Sequence, residues 1–317
     1  MTEPPRRSGL TAYLAPPGFV DRLVRELRGV EAVHDRLVLA RGPAQRALWV
    51  RNVWIEPVLL GIESIADGAR ALRSLGREWA LYSIGHHRRA HLIEERLPKP
   101  RFRPLPFPGP RPIPPGSWTL LHRDTILAAP RCSSPFPHGI ARFVEDRAGP
   151  PSRAYLKLWE ALLLRQRWPQ PDERCLDAGA SPGGWTWALA RLGAQVTAVD
   201  RAPLAARVAA LPNVAFVRAS AFSLPPAQLG RVDWLFSDVA CYPRRLLAWI
   251  ERWLASGRCH NYVCTVKLQG SSPEPALAGF SSLSGGVLLH LSRNQHEVTW
   301  IRTGAEGGAG GEGGAGD

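Results

Sequence analysis

The chain has 317 residues, 45% hydrophobic and 21% charged, a balance that excludes a disordered polymer and gives room for two domains. Forty Lys and Arg stand against 27 Asp and Glu, a formal charge of +13 that points to a partner bearing phosphate or an acidic surface. The excess is almost entirely arginine: Lys occurs only at positions 99, 157 and 267, which leaves 37 Arg. By segment the charge is +9 over residues 1–150, +7 over 151–303 and −3 in the last 14, so both halves can face phosphate.

Five cysteines without a C-x-x-C spacing suggest neither a disulfide framework nor a zinc knuckle, so no metal is expected and a reducing cytoplasm is the expected compartment. No apolar run approaches the roughly 18–20 residues of a membrane span. The first residues lack the apolar core of a signal peptide, so neither membrane insertion nor secretion is expected.

In chain order, residues 1–97 read as a small α+β region. It holds an apolar strand at Ala12–Ala15, a turn at Pro17 and Gly18, an amphipathic helix over Val20–Leu27, and strand-like VLAR and LWVR segments. His86, His87, Arg88, Arg89 and His91 read as a solvated face. Residues 98–115 carry nine prolines and predict a stiff connector near polyproline II. Because Lys99, Arg101, Arg103 and Arg111 interleave there with Phe102 and Phe107, an RNA-touching strap is the alternative to a plain spacer. Residues 116–150 read as a connecting segment, and 304–317, with eight Gly and three acids, as a disordered tail.

From 151 to 303 the pattern alternates. Strands are predicted at Cys175–Gly179, Gln195–Asp200, Val214–Arg218, Val232–Asp238 and Asn261–Leu268, with helices at Trp185–Arg191, Leu204–Ala210 and Arg244–Ala255. Strands separated by helix-length segments imply right-handed crossovers and a mostly parallel sheet. GVLLHLS and EVTWIRT follow as a final antiparallel pair. The expected fold class is α/β: a Rossmann-like domain preceded by the smaller α+β domain.

The sequence CLDAGASPGGW, Cys175–Trp185, is a strand ending in an acid, a small-residue loop and a helix start. Ligands of open α/β sheets sit at the carboxyl ends of strands, and glycines let the backbone approach them. The loop lacks the Lys-Ser/Thr of a P-loop and the G-x-G-x-x-G spacing. Asp200 ends the next strand, where a carboxylate can accept both hydroxyls of a ribose. A nucleoside-bearing cofactor without a pyrophosphate suits this pair, and S-adenosylmethionine is one.

These residues carry a resemblance. D-A-G-A-S-P-G-G-W-T resembles motif I of the FtsJ-like ribose 2′-O-methyltransferases, whose loop cradles S-adenosylmethionine. PSRAYLKLWEAL (Pro151–Leu162) is similar to that family's S-R-[SA]-x-x-K-L helix, and PFPHGIARF to its P-x-P-x-G-I-x-R segment. With GRCHNYVCTVKL, the match is to the branch that methylates a cytidine of bacterial 23S ribosomal RNA and carries an N-terminal THUMP-type RNA-binding region. It covers about Phe136 to Arg302 and is faint before that.

The resemblance implies cofactor contacts at Asp177, Gly179, Ser181, Pro182, Gly183, Gly184, Trp185, Asp200, Ser220 and Asp238. It also implies a catalytic tetrad of Lys157, Asp238, Lys267 and Glu297. Lys267 would be the general base or would orient the 2′-hydroxyl, Lys157 and Glu297 would tune it, and Asp238 would stand between methyl donor and ribose. A lysine serves as base only if its pKa falls from about 10.4 towards neutrality, which Arg cannot do. Two of the three lysines standing in tetrad positions therefore carry weight. Ser220 departs from the Asp that the family places near adenine, and Ala154 from a Ser. The implied partner is large-subunit ribosomal RNA, with no membrane. Another RNA such as transfer RNA, or a non-catalytic RNA-binding or assembly role, are the alternatives.

Overall fold

The computed structural model describes residues 5–99, 102–269 and 274–304. Pro100 and Arg101 of the proline-rich segment, and the Gly-rich tail from 305 onward, lie outside the described residues. The chain divides into two compact units, one of residues 1–146, 159–166 and 289–295, the other of 147–158, 167–288 and 296–317.

The first unit contains β1 (Arg6–Arg7), β2 (Leu10–Leu14), α1 (Val20–Glu26), β3 (Val30–His34), β4 (Leu37–Arg41), β5 (Asn52–Ile55), β6 (Val58–Gly61), α2 (Ile65–Leu75), β7 (Trp79–Leu81), α3 (His87–Glu94), β8 (Gly116–His122), β9 (Thr125–Ala129) and β10 (Arg131–Cys132). They build two five-stranded sheets, ordered β1-β6-β9-β8-β7 and β10-β5-β2-β4-β3. Leu72 of α2 and Ala90 and Ile93 of α3 bury into one cluster with Trp118, Leu120 and Ile126. The outer face of α3 leaves His86, His87 and Arg88 exposed, as the charge pattern predicted.

Two expectations about this region are corrected. Residues 116–132, read as part of a connecting segment, form β8, β9 and β10. β8 runs parallel to β7 and antiparallel to β9, which pairs in turn with β6. GSWTLLH and TILAA are apolar runs around an Arg123-Asp124 turn, a hairpin that the preceding prolines masked. LWVR is not a strand: the Glu26 carboxylate accepts the backbone N–H of Leu48 (2.8 Å) and Trp49 (3.2 Å), and the Trp49 ring stacks on Phe19 at 4.5 Å. With those donors committed to Glu26, ladder pairing starts only at Asn52.

The proline-rich segment is attached rather than free. Leu105 N donates to Arg142 O, Val144 N donates to Leu105 O, and Phe107 stacks on Trp159 at 5.1 Å. Glu160, 2% exposed in the same unit, accepts Ser292 N at 2.7 Å and Ser292 Oγ at 2.6 Å. Burial pushes its carboxyl up to about 7.

The second unit takes in α4 (Tyr155–Arg165) up to Leu158, then β11 (Arg174–Ala178), α5 (Gly184–Arg191), β12 (Gln195–Asp200), α6 (Ala206–Ala209), β13 (Val214–Arg218), α7 (Pro226–Leu229), β14 (Trp234–Ser237), α8 (Pro243–Ser256), β15 (Asn261–Lys267), α9 (Glu274–Ser282), β16 (Gly286–Leu289) and β17 (Glu297–Arg302). The sheet order is β13-β12-β11-β14-β15-β17-β16, with β11 to β15 mutually parallel. β17 inserts between β15 and β16 and runs antiparallel to β15 over six residue pairs, from Tyr262↔Arg302 to Lys267↔Glu297.

Helix α8 shows why the sheet faces are covered. Leu246, Trp249, Ile250 and Trp253 recur at helical spacing and are all buried, and the helix stops at Gly257, whose φ of +62° suits a left-handed cap. Helix α9 was not foreseen: its Ala, Gly and Ser content leaves Leu277 and Phe280 as the large apolar residues it buries. Trp253 is fully buried, so Trp253→Ala is expected to cost about 3–5 kcal/mol. Urea unfolding of variant and wild type would measure it, and a loss below 1 kcal/mol would contradict this account of how α8 is held.

Candidate active site

Strand order reverses at the neighbouring strands β11 and β14, so the loops after their carboxyl ends diverge and leave a crevice. The loop after β11 is shaped by its glycines. Gly179 has φ +80°, and a Cβ there would come within 2.7 Å of Val239 Cβ and 2.9 Å of Val239 Cα. Gly183 has φ +109° and precedes the first turn of α5, while a Cβ on Gly184 would lie 2.4 Å from Ser152 Oγ. These positions demand glycine for conformation or for close approach.

Asp200, at the end of β12, is fixed by the same loop. Ser181 N donates to its Oδ2 at 3.0 Å and Ala202 N to its Oδ1 at 2.9 Å. Each oxygen keeps a further lone pair for a ligand hydroxyl. Ser181 Oγ also donates to Pro203 O at 2.9 Å, which ties the loop to the segment after β12. A cavity of about 220 Å³ lies here, lined by Gly179, Asp200, Ser220, Phe222, Val239 and Arg245 among others.

Phe222 and Arg245 were not singled out in the sequence. The Arg245 guanidinium sits 4.4 Å from the Phe222 ring centroid, and that ring meets Trp249 edge-on. A signal was present: the first turn of α8 carries arginines and no acid, contrary to what the helix dipole favours.

Other expected cofactor residues act from beneath. Asp177 is 1% exposed and accepts a hydrogen bond from Thr186 Oγ1 at 2.6 Å. Burial pushes its carboxyl up to about 7; the Thr186 hydrogen bond opposes this, and the charges of Asp238 and Asp200 add to it. Trp185 is 3% exposed and donates its indole N–H to Ala154 O at 2.9 Å. Both side chains are buried behind the loop and brace it from the core side.

Four charged side chains converge next to Gly179's neighbour Val239. Lys157 comes from α4, Asp238 follows β14, Lys267 ends β15, and Glu297 starts β17 directly opposite Lys267 in the ladder. Lys157 Nζ lies 3.2 Å from both Asp238 oxygens and 2.5 Å from Glu297 Oε1. Lys267 Nζ lies 2.8 Å from Asp238 Oδ1 and 2.5 Å from Glu297 Oε2. Each ammonium therefore bridges both carboxylates, and the ring closes with zero net charge. Side-chain exposures are 9% for Lys157, 21% for Asp238, 20% for Lys267 and 13% for Glu297, so the ring is mostly shielded but reachable from outside.

The electrostatics of the ring act on Lys267 in two directions. A base would need Lys267 to have a lowered pKa, and burial does push it down. Asp238 and Glu297 outweigh burial, and the net direction is upward. Glu297 moves the opposite way: burial raises it, but Lys157 and Lys267 hold it below the usual carboxylate range. In the resting ring Lys267 is therefore held as an ammonium and Glu297 as a carboxylate.

The FtsJ-like methyltransferase family matches residues 150–263. Ribosomal RNA large subunit methyltransferase M of Xanthomonas oryzae pv. oryzae (strain PXO99A) is 32% identical over 255 residues, which is 78% of this chain and 67% of that protein. The protein of the same name from Pseudomonas paraeruginosa is 39% identical over 148 residues, 45% of this chain and 41% of that one. Among solved structures, TrmN from Thermus thermophilus is similar over 93% of this chain and 99% of its own, at 15% identity and a TM-score of 0.39. By the 32% identity it shares with the Xanthomonas oryzae protein over 78% of its length, and by the family match at residues 150–263, the chain belongs to the ribosomal RNA large subunit methyltransferase M family of FtsJ-like methyltransferases.

Proposed function

We propose that this protein methylates the 2′-hydroxyl of a ribose in large-subunit ribosomal RNA, with S-adenosylmethionine as donor and a 23S cytidine as target. The observation that carries the reading is the closed ring of Lys157, Asp238, Lys267 and Glu297 beside a glycine-shaped cavity at the carboxyl ends of the sheet. No helix among the described residues is long and apolar enough to cross a membrane, and a cytoplasmic enzyme meeting assembling ribosomal RNA suits the chain.

The residues fit the donor. Gly179 lets the loop backbone pack directly on Val239 at the edge of the cavity, Asp200 offers two oxygens already oriented by backbone donors, and Phe222 with Arg245 supplies a flat wall for a purine. The cofactor supplies an electrophilic methyl group on a sulfonium.

Lys267 handles the hydroxyl. In the resting ring its Nζ is an ammonium that can orient the 2′-oxygen by donating to it. A cation placed beside Nζ and exclusion of water both favour its neutral form, and the neutral amine then takes the hydroxyl proton. Lys157 shares the same two carboxylates and so limits how strongly they hold the proton on Lys267. Asp238 and Glu297 fix the direction of Nζ.

Lys267→Arg keeps the charge but cannot release a proton near neutrality. It is expected to lower the single-turnover methylation rate at least about 100-fold, with cofactor affinity changed less than about threefold, as isothermal titration would read. Near wild-type turnover would remove Lys267 from the role. Glu297→Gln takes away one of the anions that raise the Lys267 pKa, so the rise of single-turnover rate with pH is expected to move to lower pH. An unmoved midpoint would mean that another group titrates. At the level of substrate, mapping ribose methylation across large-subunit ribosomal RNA with and without the gene should show one site lost. Full methylation without the gene would overturn the reading.

A further inference from the structure

The first unit contains a second cavity, of about 460 Å³, which the methylation chemistry does not use. That volume falls within the range of roughly 300–1,000 Å³ typical of small-ligand sites. Its lining combines three kinds of group: apolar Leu81, Leu105 and Phe136, the cations Arg103 and Arg142, and the carboxylates Glu78 and Glu94. Ile113 and Ile140 also line it and are 86% and 38% exposed, so apolar surface continues out into solvent.

His138 is the most informative member. It holds a left-handed conformation, φ 55°, and its ring lies 5.7 Å from that of Tyr82. Its Nδ1 is buried and makes no hydrogen bond among the described residues. A buried polar atom without a partner is a cost that the fold carries at this position. Burial, and the charges of Arg36 and Arg142, push the imidazole down to about 4, so it meets a ligand in its neutral form.

We propose that this cavity holds one unstacked nucleotide of the RNA substrate, its base against Leu81, Leu105 and His138 and its phosphate on Arg103 and Arg142. The inference rests on the RNA reading above and adds a recognition site to it. Sequence-specific RNA recognition takes splayed-out bases on apolar and aromatic surfaces and bonds their edges. The two carboxylates can accept from exocyclic amines and ring N–H groups, with the imidazole ring as part of the wall, while the exposed arginines stay at the phosphates. A free phosphate would have no use for the apolar wall, and an aliphatic chain none for the carboxylates.

The test is fluorescence anisotropy with the full chain and a labelled single-stranded oligoribonucleotide of about a dozen residues. Ile113→Glu is expected to weaken binding about tenfold; the side chain is largely exposed, so an unchanged melting temperature separates this from misfolding. His138→Asn, which tolerates the left-handed backbone, is expected to weaken binding severalfold at an unchanged salt slope. Arg142→Ala is expected to reduce that slope by about one. A blunt duplex of equal length should bind all variants as it binds wild type. If wild type binds the single strand and the Ile113 and His138 variants match it, the cavity proposal falls while the methylation reading stands. If wild type binds no RNA, both fall.

Discussion

Everything in the catalytic unit is arranged around a charge constraint: two ammoniums and two carboxylates share one shielded space and must neutralise one another there. Any one of the four left alone would face the desolvation of a buried charge, which costs several kcal/mol. Bridged crosswise, each group satisfies two others, and the ring is tolerated where a single pair would be weak. Burial, with smaller contributions from the charges of Asp238 and Asp200, moves Asp177 towards its neutral form, against the pull of the Thr186 hydroxyl that donates to it. Negative charge is thus kept where it has donors to meet, ammoniums in the ring and backbone N–H groups at Asp200.

The same constraint explains the lopsided use of cations. Where charge alone is wanted the chain writes Arg, a fixed cation that also stacks, as Arg245 does on Phe222 and Arg22 on Trp49. Lys157 and Lys267, two of the three lysines, stand together in the ring, each between the same two carboxylates.

Much of this was legible in the sequence, unevenly. The strands at Gln195–Asp200 and Val214–Arg218 occur with the predicted bounds because short β-branched runs between turn signals have one reading. The four tetrad residues, predicted on separate elements far apart in the chain, are brought within hydrogen-bonding distance. The sign of the Lys267 shift was not legible, since it depends on how close two carboxylates approach, and that is a property of packing. In the first unit, a hairpin just after nine prolines read as more linker, and Glu26 diverted LWVR from a strand by a contact 22 residues away.

The placement of β17 between β15 and β16 has a consequence in time as well as space. Translation delivers Lys157, Asp238 and Lys267 before Glu297, so the growing chain holds two cations against one anion until its final strand slots into the sheet. One strand then performs two tasks at once, filling a gap in the hydrogen-bonded ladder and supplying the missing negative charge. A polypeptide stalled before that point keeps most of its parallel core yet has an unbalanced pocket, and the ring of charges closes only when β17 is in place.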